Sequence, residues 1–362
     1  MHAPCVAFLS LLAAIPALAY DTAFAFAANA TIETRSIDEI YQAALAEGGL
    51  VTLWHGGDES NQQDSLKTAF EAKFPGMTLN VTVDLSKYHD QRIDEQLATN
   101  SLYVDSAILQ TVHDYPRWKQ EGALLNYQPA GFEQIHPAFK DIDAAYYGMF
   151  IIAWSNTWNT DKLNVSSISS YADFLRPEFK DKLVLTYPND DDAVLFQFNT
   201  IMQTLGKGWF EALLQQNPRW VRGTGTPATL VGTANNSYVA TFTSSIGLVP
   251  SLPMKIDHST DAFFTSWPQT GAIFRDAPHP EGAKLLHNFL MSVEHQNATG
   301  TFSSRIDVAS AGGYPGIFDM NNTNPTAFGE WMGDRAQVER FRFWIEDKIG
   351  SAQGLSPLID DL

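Results

Sequence analysis

Apolar and polar positions along residues 31–125 follow strand and helix periods in turn. Residues 50–54 form a short apolar run typical of a buried strand, and residues 66–74 place apolar side chains on one face of a helix. Residues 77–83 alternate strictly between apolar and polar, which predicts an edge strand with one face in solvent. A helix over residues 90–98 and a further strand–helix pair complete a β-α-β-α-β-α order. This order predicts a doubly wound parallel sheet.

A second set of elements follows the apolar strand at residues 148–155. Strand and helix patterns continue to about residue 242, and another extended segment covers residues 263–274. Two amphipathic helices, at about residues 277–296 and 327–349, end the pattern. No linker separates the two halves. Two domains joined by extended strands predict a hinged molecule whose cleft opens and closes.

The composition narrows the set of partners. The chain of 362 residues has a net charge of -18, which disfavours nucleic acid and anionic membrane surfaces as partners. After the N-terminal segment, no apolar stretch is long enough to predict membrane insertion. We therefore expect a monomer whose partner is a small molecule or an ion.

The N-terminus has the pattern of a secretory signal peptide over residues 1–19, with an apolar core and the small-residue site Ala17-Leu18-Ala19. This predicts a secreted, extracellular protein. Because Cys5 is the only cysteine and lies in that segment, the mature chain is expected to have no disulfide, thiol nucleophile or zinc-thiolate site. Asn-x-Ser/Thr sequons predict glycosylation at Asn29, Asn80, Asn164, Asn235, Asn297 and Asn321.

The stretch "VTLWHGGDES" at residues 51–60 ends the first strand in a turn. Gly56 and Gly57 allow a ligand to approach the backbone closely, and the turn falls at the carboxyl edge of the predicted sheet. We expect His55, Gly56, Gly57 and Asp58 to contact the ligand, with Gln110 at the end of the third strand. The alternative is a plain turn in which Asp58 caps the next helix.

The segment "WPQTGAIFRDAPHPEGAKLLHNFLMSVEHQ" resembles the type 2 periplasmic solute-binding proteins. It is similar to the ABC-transporter components annotated for ferric iron, thiamine, polyamines or aminoethylphosphonate. "VDSAILQ" and "FKDKLVLTYP" resemble other strands of that family, and the signal peptide and sequons resemble its secreted fungal members. The resemblance implies an α/β clamshell of two lobes, each a doubly wound mixed sheet flanked by helices, with a two-strand hinge. The predicted boundaries are 31–150 plus 268–349 for lobe 1, 151–267 for lobe 2 and 350–362 for a tail.

The same resemblance assigns further residues to the cleft. It implies that His55 could be a metal ligand, and that the loop with Asp190 and Asp192 faces the cleft from lobe 2. Carboxylates there would attract a cation, although an acidic helix cap is the alternative. Thr243 and Ser244 would offer hydroxyl groups. Trp154 and Trp267, at strand ends, could form an aromatic wall or could simply pack in the core.

No nucleophile elbow, metalloprotease motif, P-loop or dinucleotide fingerprint occurs in the chain, and no cofactor is expected. The sequence therefore predicts a binding protein that captures a metal ion, a thiamine-like molecule, a polyamine or a phosphonate-type anion without catalysis. Two alternatives stay open. One is an enzyme on the same fold, similar to thiamine-precursor synthases, and the other is an extracellular interaction protein whose cleft no longer binds a ligand.

Overall fold

The structure is a computed structural model that describes residues 30–359. The predicted signal peptide at residues 1–19, the sequon at Asn29 and the last three residues of the predicted tail lie outside the described residues. Within the described range, buried apolar side chains form two large cores, one for each lobe.

The described chain contains twelve strands and eleven α-helices. The strands are β1 (Thr31–Ile32), β2 (Leu50–Gly56), β3 (Thr78–Asp84), β4 (Ser106–Leu109), β5 (Tyr127–Gln128), β6 (Tyr147–Ala153), β7 (Ser155–Asn159), β8 (Val184–Thr186), β9 (Arg219–Val221), β10 (Ala240–Ser244), β11 (Met254–Asp257) and β12 (Ser266–Ile273). The helices are α1 (Ile37–Glu47), α2 (Asp64–Lys73), α3 (Ser86–Ala98), α4 (Asp114–Gln120), α5 (Asp192–Leu205), α6 (Lys207–Gln215), α7 (Gly225–Gly232), α8 (Pro280–Leu290), α9 (Val293–Ala298), α10 (Ala327–Gly333) and α11 (Arg335–Ile349).

Lobe 1 is built on a five-stranded mixed sheet in the order β3-β2-β4-β12-β6. Strands β3, β2 and β4 are parallel, whereas β12 runs antiparallel to β4 and β6. The predicted edge position of β3 is confirmed: Leu79 is buried, and Thr78 and Asn80 on either side are exposed. Because the chain enters β2, β3 and β4 in the same direction, their carboxyl ends meet at the edge that faces lobe 2.

Lobe 2 contains the three-stranded sheet β10-β7-β11 and the parallel pair β8-β9. A bridge between Leu183 and Ala240 joins these two pieces side by side. Helix α5 supplies much of the core, with Val194, Phe198 and Ile201 fully buried. Its spacing was evident in the sequence, and the helix ends at Gly206 as predicted.

The C-terminal helices belong to lobe 2, which corrects the predicted boundary at residues 268–349. Phe328, Trp331 and Met332 of α10 and Val338 and Ile345 of α11 are buried in the second core. The expected single helix is also broken, because Asp334 ends α10 and caps α11 through a bond from the Gln337 amide. An amphipathic face shows that a helix packs against a core but does not show which core.

The chain crosses between the lobes at the predicted strands, where the Trp154 amide donates to the Thr265 carbonyl. The displaced C-terminal helices require a third crossing. It runs beside the others: the Phe264 amide donates to the Asn322 carbonyl, and the Thr323 hydroxyl donates to the Phe264 carbonyl. The hinge is thus a bundle of three adjacent segments.

Candidate functional site

A cavity of about 410 Å³ lies between the two lobes. Lobe 1 contributes the carboxyl ends of its parallel strands and the start of α3. Lobe 2 contributes the amino-terminal ends of α5 and α7. The predicted residues that line the cavity are Gly56, Gly57, Asp58, Gln110, Trp154, Asp190, Asp192 and Trp267.

Gly56 and Gly57 lie at the cavity edge, and close neighbours crowd both positions. A Cβ atom on Gly56 would lie 2.1 Å from the Ser86 Oγ, and one on Gly57 would lie 2.5 Å from the Gln62 Oε1. Neither glycine adopts a left-handed backbone conformation. The two residues therefore let α3 and the turn after β2 pack closely at the rim.

His55 does not face the cavity, which corrects its predicted role as a ligand contact and metal ligand. Its side chain is buried, stacks on Phe150 with ring centroids 6.1 Å apart, and donates from Nδ1 to the Gly56 carbonyl at 2.8 Å. Burial lowers the pKa of His55 to about 4, so the imidazole is neutral at pH 7. Among residues 30–359, no group of three or more His, Cys, Asp or Glu side chains is arranged to hold a metal ion.

Asp58 joins the lobes instead of capping a helix. Its Oδ2 accepts bonds from the Thr224 amide at 2.8 Å and the Thr224 hydroxyl at 2.6 Å, and Thr224 immediately precedes α7. Helix α2 begins only at Asp64, after Gln63, so the alternative reading of Asp58 as its cap is wrong. The carboxylate of Asp58 therefore compensates the orphan amides of a helix in the opposite lobe.

Asp190 is neutralised from both lobes. Its carboxylate accepts a bond from Lys87 Nζ at 2.7 Å across the cleft and one from Arg222 Nε at 2.8 Å within lobe 2. Burial alone would raise the pKa of Asp190, but the hydrogen bonds from Arg222 and Lys87 hold that pKa below its usual value. Asp190 is therefore ionised and already paired at neutral pH.

Asp192 is paired with two arginines from α11. Its Oδ2 accepts from Arg335 at 3.0 Å, and its Oδ1 accepts from Arg342. The sequence analysis missed both arginines because it placed α11 in the other lobe. Their spacing of seven residues, which sets them on one helical face, was the available signal.

Asp191, between these two residues, was not predicted as a site residue but also lines the cavity. Its Oδ1 caps α5 by accepting from the Val194 amide at 2.9 Å, and Gln110 Nε2 reaches the same oxygen across the cleft at 3.4 Å. Burial raises the pKa of Asp191 to about 7; the bond from Val194 opposes this shift, and the nearby Asp58 charge adds to it. The predicted acidic cap is thus provided by Asp191.

Trp154 and Trp267 form part of the cavity wall and are also core residues. Their rings meet edge to face at 5.0 Å, and each is almost fully buried. The Trp267 Nε1 donates to the Gln269 Oε1 at 3.1 Å. These contacts fix the rings before any ligand arrives, so the wall is rigid.

Thr243 and Ser244 do not line the cavity, which corrects their prediction as hydroxyl contacts. The Thr243 hydroxyl accepts from the Thr186 amide at 3.0 Å, and the Ser244 hydroxyl donates to the Thr224 carbonyl at 2.6 Å. Both side chains are fully buried within lobe 2. Ser245, the next residue, lines the cavity in their place.

Comparison with known proteins gives matches only at the level of structure. No protein-family model and no curated protein matches the chain. The substrate-binding protein of an ABC transporter from Agrobacterium tumefaciens superposes with a TM-score of 0.68 and 12% identity, covering 84% of this chain and 96% of that one. AfuA from Actinobacillus pleuropneumoniae, a periplasmic binding protein solved with fructose-6-phosphate, gives 0.64 and 16%, covering 84% and 99%.

Iron-bound HitA from Pseudomonas aeruginosa gives a TM-score of 0.59 and 13% identity, covering 82% of this chain and 99% of HitA. The three relatives are similar over nearly their whole length, yet one is described with iron and another with a sugar phosphate. At these identities the similarity establishes the fold. The predicted two-lobed periplasmic-binding-protein architecture is confirmed, and within residues 30–359 no helix is long and apolar enough to cross a membrane.

Proposed function

We propose that this protein captures a small ligand in the cleft between its lobes and performs no reaction on it. The observation that carries this proposal is that the same residues line the cavity and join the lobes. Three pairs of cavity-lining residues bond across the cleft: Asp58 with Thr224, Lys87 with Asp190, and Gln110 with Asp191. A ligand that contacts these side chains from both sides would favour the closed arrangement over an open one.

The size and walls of the cavity support this proposal. About 410 Å³ accommodates a small organic molecule, and rigid aromatic rings next to charged and amide side chains are typical of small-molecule sites. The structural relatives bind ions or small molecules, which supports a binding role for the shared architecture.

The test is a ligand screen on the full secreted chain, by thermal shift and small-angle scattering. Metal ions, thiamine, polyamines, phosphonates and sugar phosphates form the panel. A true ligand is expected to raise the melting temperature and reduce the radius of gyration together. No stabilisation by any compound, with no change in radius, would contradict the proposal.

A matched pair of variants locates the binding to the cleft. Ser245→Trp fills the cavity from an exposed position on its wall, whereas Ser251→Trp introduces the same side chain at an exposed position outside it. Binding is expected to weaken at least tenfold in the first variant and to stay unchanged in the second. Equal affinities in the two variants would place the ligand elsewhere.

We also propose that the protein is secreted and N-glycosylated. The sequon asparagines in the described range are all exposed, as oligosaccharide transfer requires: Asn80, Asn164, Asn235, Asn297 and Asn321. Enzymatic deglycosylation of protein recovered from the medium should lower its mass, and its N-terminus should begin after residue 19. An unchanged mass would contradict glycosylation.

A further inference from the structure

The lobe-1 wall of the cleft contains two neighbouring carboxyl groups, which we call the carboxyl pair. Asp90 lies on α3 and lines the cavity, and Asp114 is the first residue of α4 and is only 5% exposed. Burial, followed by the charge of Asp114, raises the pKa of Asp90 to about 7. Below pH 7 the carboxyl of Asp90 therefore holds a proton.

Few positive charges lie near the carboxyl pair. Arg117 donates to the Asp114 Oδ1 at 2.8 Å, but it also donates to both oxygens of Asp94 and, at 3.3 Å, to Glu121. One guanidinium is thus shared among three carboxylates, and none of its bonds reaches Asp90. The wall around the pair has an excess of negative charge.

The turn before α4 contains buried polar atoms that lack a partner. Within residues 30–359, the Thr111 Oγ1, the His113 Nδ1 and the Asp114 Oδ2 are buried without a hydrogen-bonding partner. Thr111 is 6% exposed, and both Thr111 and His113 line the cavity. Burying an unsatisfied polar group costs about 1–3 kcal/mol, so a cleft wall with several of them indicates the position of a ligand's polar group.

The other charged side chains that face this wall do not supply a positive charge to the carboxyl pair. Across the cleft, Asp192 and Arg335 are close enough to influence the pKa of His113, but they are paired with each other. Lys87, on α3 with Asp90, is bonded to Asp190. Burial lowers the pKa of His113, so its imidazole is neutral at pH 7 and does not supply a cation.

We infer that the ligand carries an ammonium group, which binds at the carboxyl pair of Asp90 and Asp114 next to Thr111 and His113. This inference rests on the proposed function and adds the chemical class of the ligand. An ammonium group has three donors and no acceptor, which matches a wall of free acceptors. On binding, its positive charge favours the ionised form of Asp90, and the proton that Asp90 holds below pH 7 leaves to solvent.

This exchange makes binding depend on pH. Burial, followed by the charge of Asp114, raises the pKa of Asp90 to about 7, and a bound cation would lower it again. Below pH 7 the ammonium group must displace a proton, so affinity should rise up to tenfold per pH unit between about pH 5 and 6.5. Above about pH 8 the proton is already absent and affinity should level off.

The test uses 1,4-diaminobutane as the probe and the uncharged 1,4-butanediol as its isosteric control, with the full secreted chain. Titration calorimetry in two buffers of different ionisation enthalpy measures the protons released. The diamine should bind and release close to one proton at pH 6 and almost none at pH 8.5, and the diol should not bind. A buffer-independent enthalpy at pH 6 would overturn the inference without any variant.

Two charge-neutralising variants on α3 complete the test. Asp90→Asn removes one member of the pair, and Glu95→Gln removes an equal charge from an exposed position outside the cavity. We expect at least tenfold weaker, pH-independent diamine binding in the first and less than a twofold change in the second. Equal losses in both variants would overturn the inference.

The diamine test and the ligand screen together separate the inference from the proposed function. If another panel compound closes the cleft and the diamine does not bind, the inference fails and the proposed function stands. If no compound binds, both fail.

Discussion

Acidic side chains face the cleft from both lobes, but the lobes neutralise them differently. In the acidic loop of lobe 2 (Asp190–Asp192), Lys87 and Arg222 hold the first carboxylate and two arginines of α11 hold the third. In the carboxyl pair of lobe 1 (Asp90 and Asp114), burial and the charge of Asp114 raise the pKa of Asp90 to about 7, and none of the cationic side chains bonded to Asp114 reaches Asp90. The density of acidic residues in the sequence pointed to the loop, yet the attraction for a cation lies with the pair. A carboxylate attracts a ligand cation only to the extent that the protein has not already paired it.

The largest loss of stability is expected from substituting Asp192, the loop carboxylate that is paired with two arginines. Asp192→Ala leaves Arg335 and Arg342 facing each other without their shared carboxylate and loosens α11 from α5. We expect a loss of about 2–3 kcal/mol in the free energy of unfolding, measured by urea denaturation, since both guanidinium groups are partly exposed. The control Asp347→Ala removes an exposed carboxylate from the same helix and should leave the free energy of unfolding nearly unchanged. Equal losses would show that the loop pairing is not structural.

The next effect concerns the link between the lobes. Asp190→Asn removes the negative charge and replaces one of the two acceptor oxygens that Lys87 and Arg222 share with an amide donor, so we expect destabilisation by about 2 kcal/mol and a larger radius of gyration without ligand. Asp276→Asn, at an exposed position, is the matched control and should change neither quantity. An unchanged radius in the Asp190 variant would mean that this bond does not hold the cleft closed.

Neutralising a member of the carboxyl pair should stabilise the fold, whereas neutralising the loop carboxylates should destabilise it. The pKa of Asp90 is raised in the folded protein to about 7, so ionising it destabilises the fold as pH rises from about 4 through 7. Asp90→Asn removes this penalty and keeps a donor for Asp114. We expect the variant to be about 1–2 kcal/mol more stable than the natural protein at pH 8 and no more stable at pH 4, by urea denaturation at both values. The same increment at both pH values would argue against a raised pKa of Asp90.

The smallest change in stability is expected from a variant that tests whether the acidic loop binds an external cation. Lys87→Met keeps the aliphatic stem and removes one of the two partners of Asp190, while Arg222 remains. We expect a loss of about 0.5 kcal/mol in unfolding free energy and less than a threefold change in diamine affinity. A large gain in diamine affinity would show that the loop, and not the pair, is the cation site.

Local periodicity was sufficient to predict much of the fold. The near-continuous apolar run at residues 50–54 marked a central strand, and the alternation at residues 77–83 marked an edge strand, because burial on two faces or one face leaves that pattern in the residues themselves. The prediction that residues 327–349 belong to lobe 1 was wrong because an apolar helix face does not specify its partner. The two cores have similar chemistry, and only the packing of the folded chain places these residues in the core of lobe 2.

The same reasoning separates the predicted residues that line the cavity from those that do not. Gly56, Gly57 and Gln110 could be placed at the cleft because strand ends of a doubly wound sheet meet at one edge. His55 and Ser244, next to cavity-lining residues in the chain, point instead into buried hydrogen bonds. Successive side chains of an extended segment point to opposite sides, so being adjacent to a site in sequence does not place a side chain in it.

The sequence by itself determined the alternating strands and helices and the acidic composition, because periodicity and composition are properties of local stretches, and its resemblance to a known family implied the acidic loop at the cleft. Only the tertiary structure decided which charges meet. Asp192 lies 143 residues from Arg335, and Asp90 meets Asp114 through the packing of two helices. Electrostatic interactions fall with distance in space, not with separation along the chain, so the folded arrangement alone decides which carboxylates are already paired and which can bind a ligand.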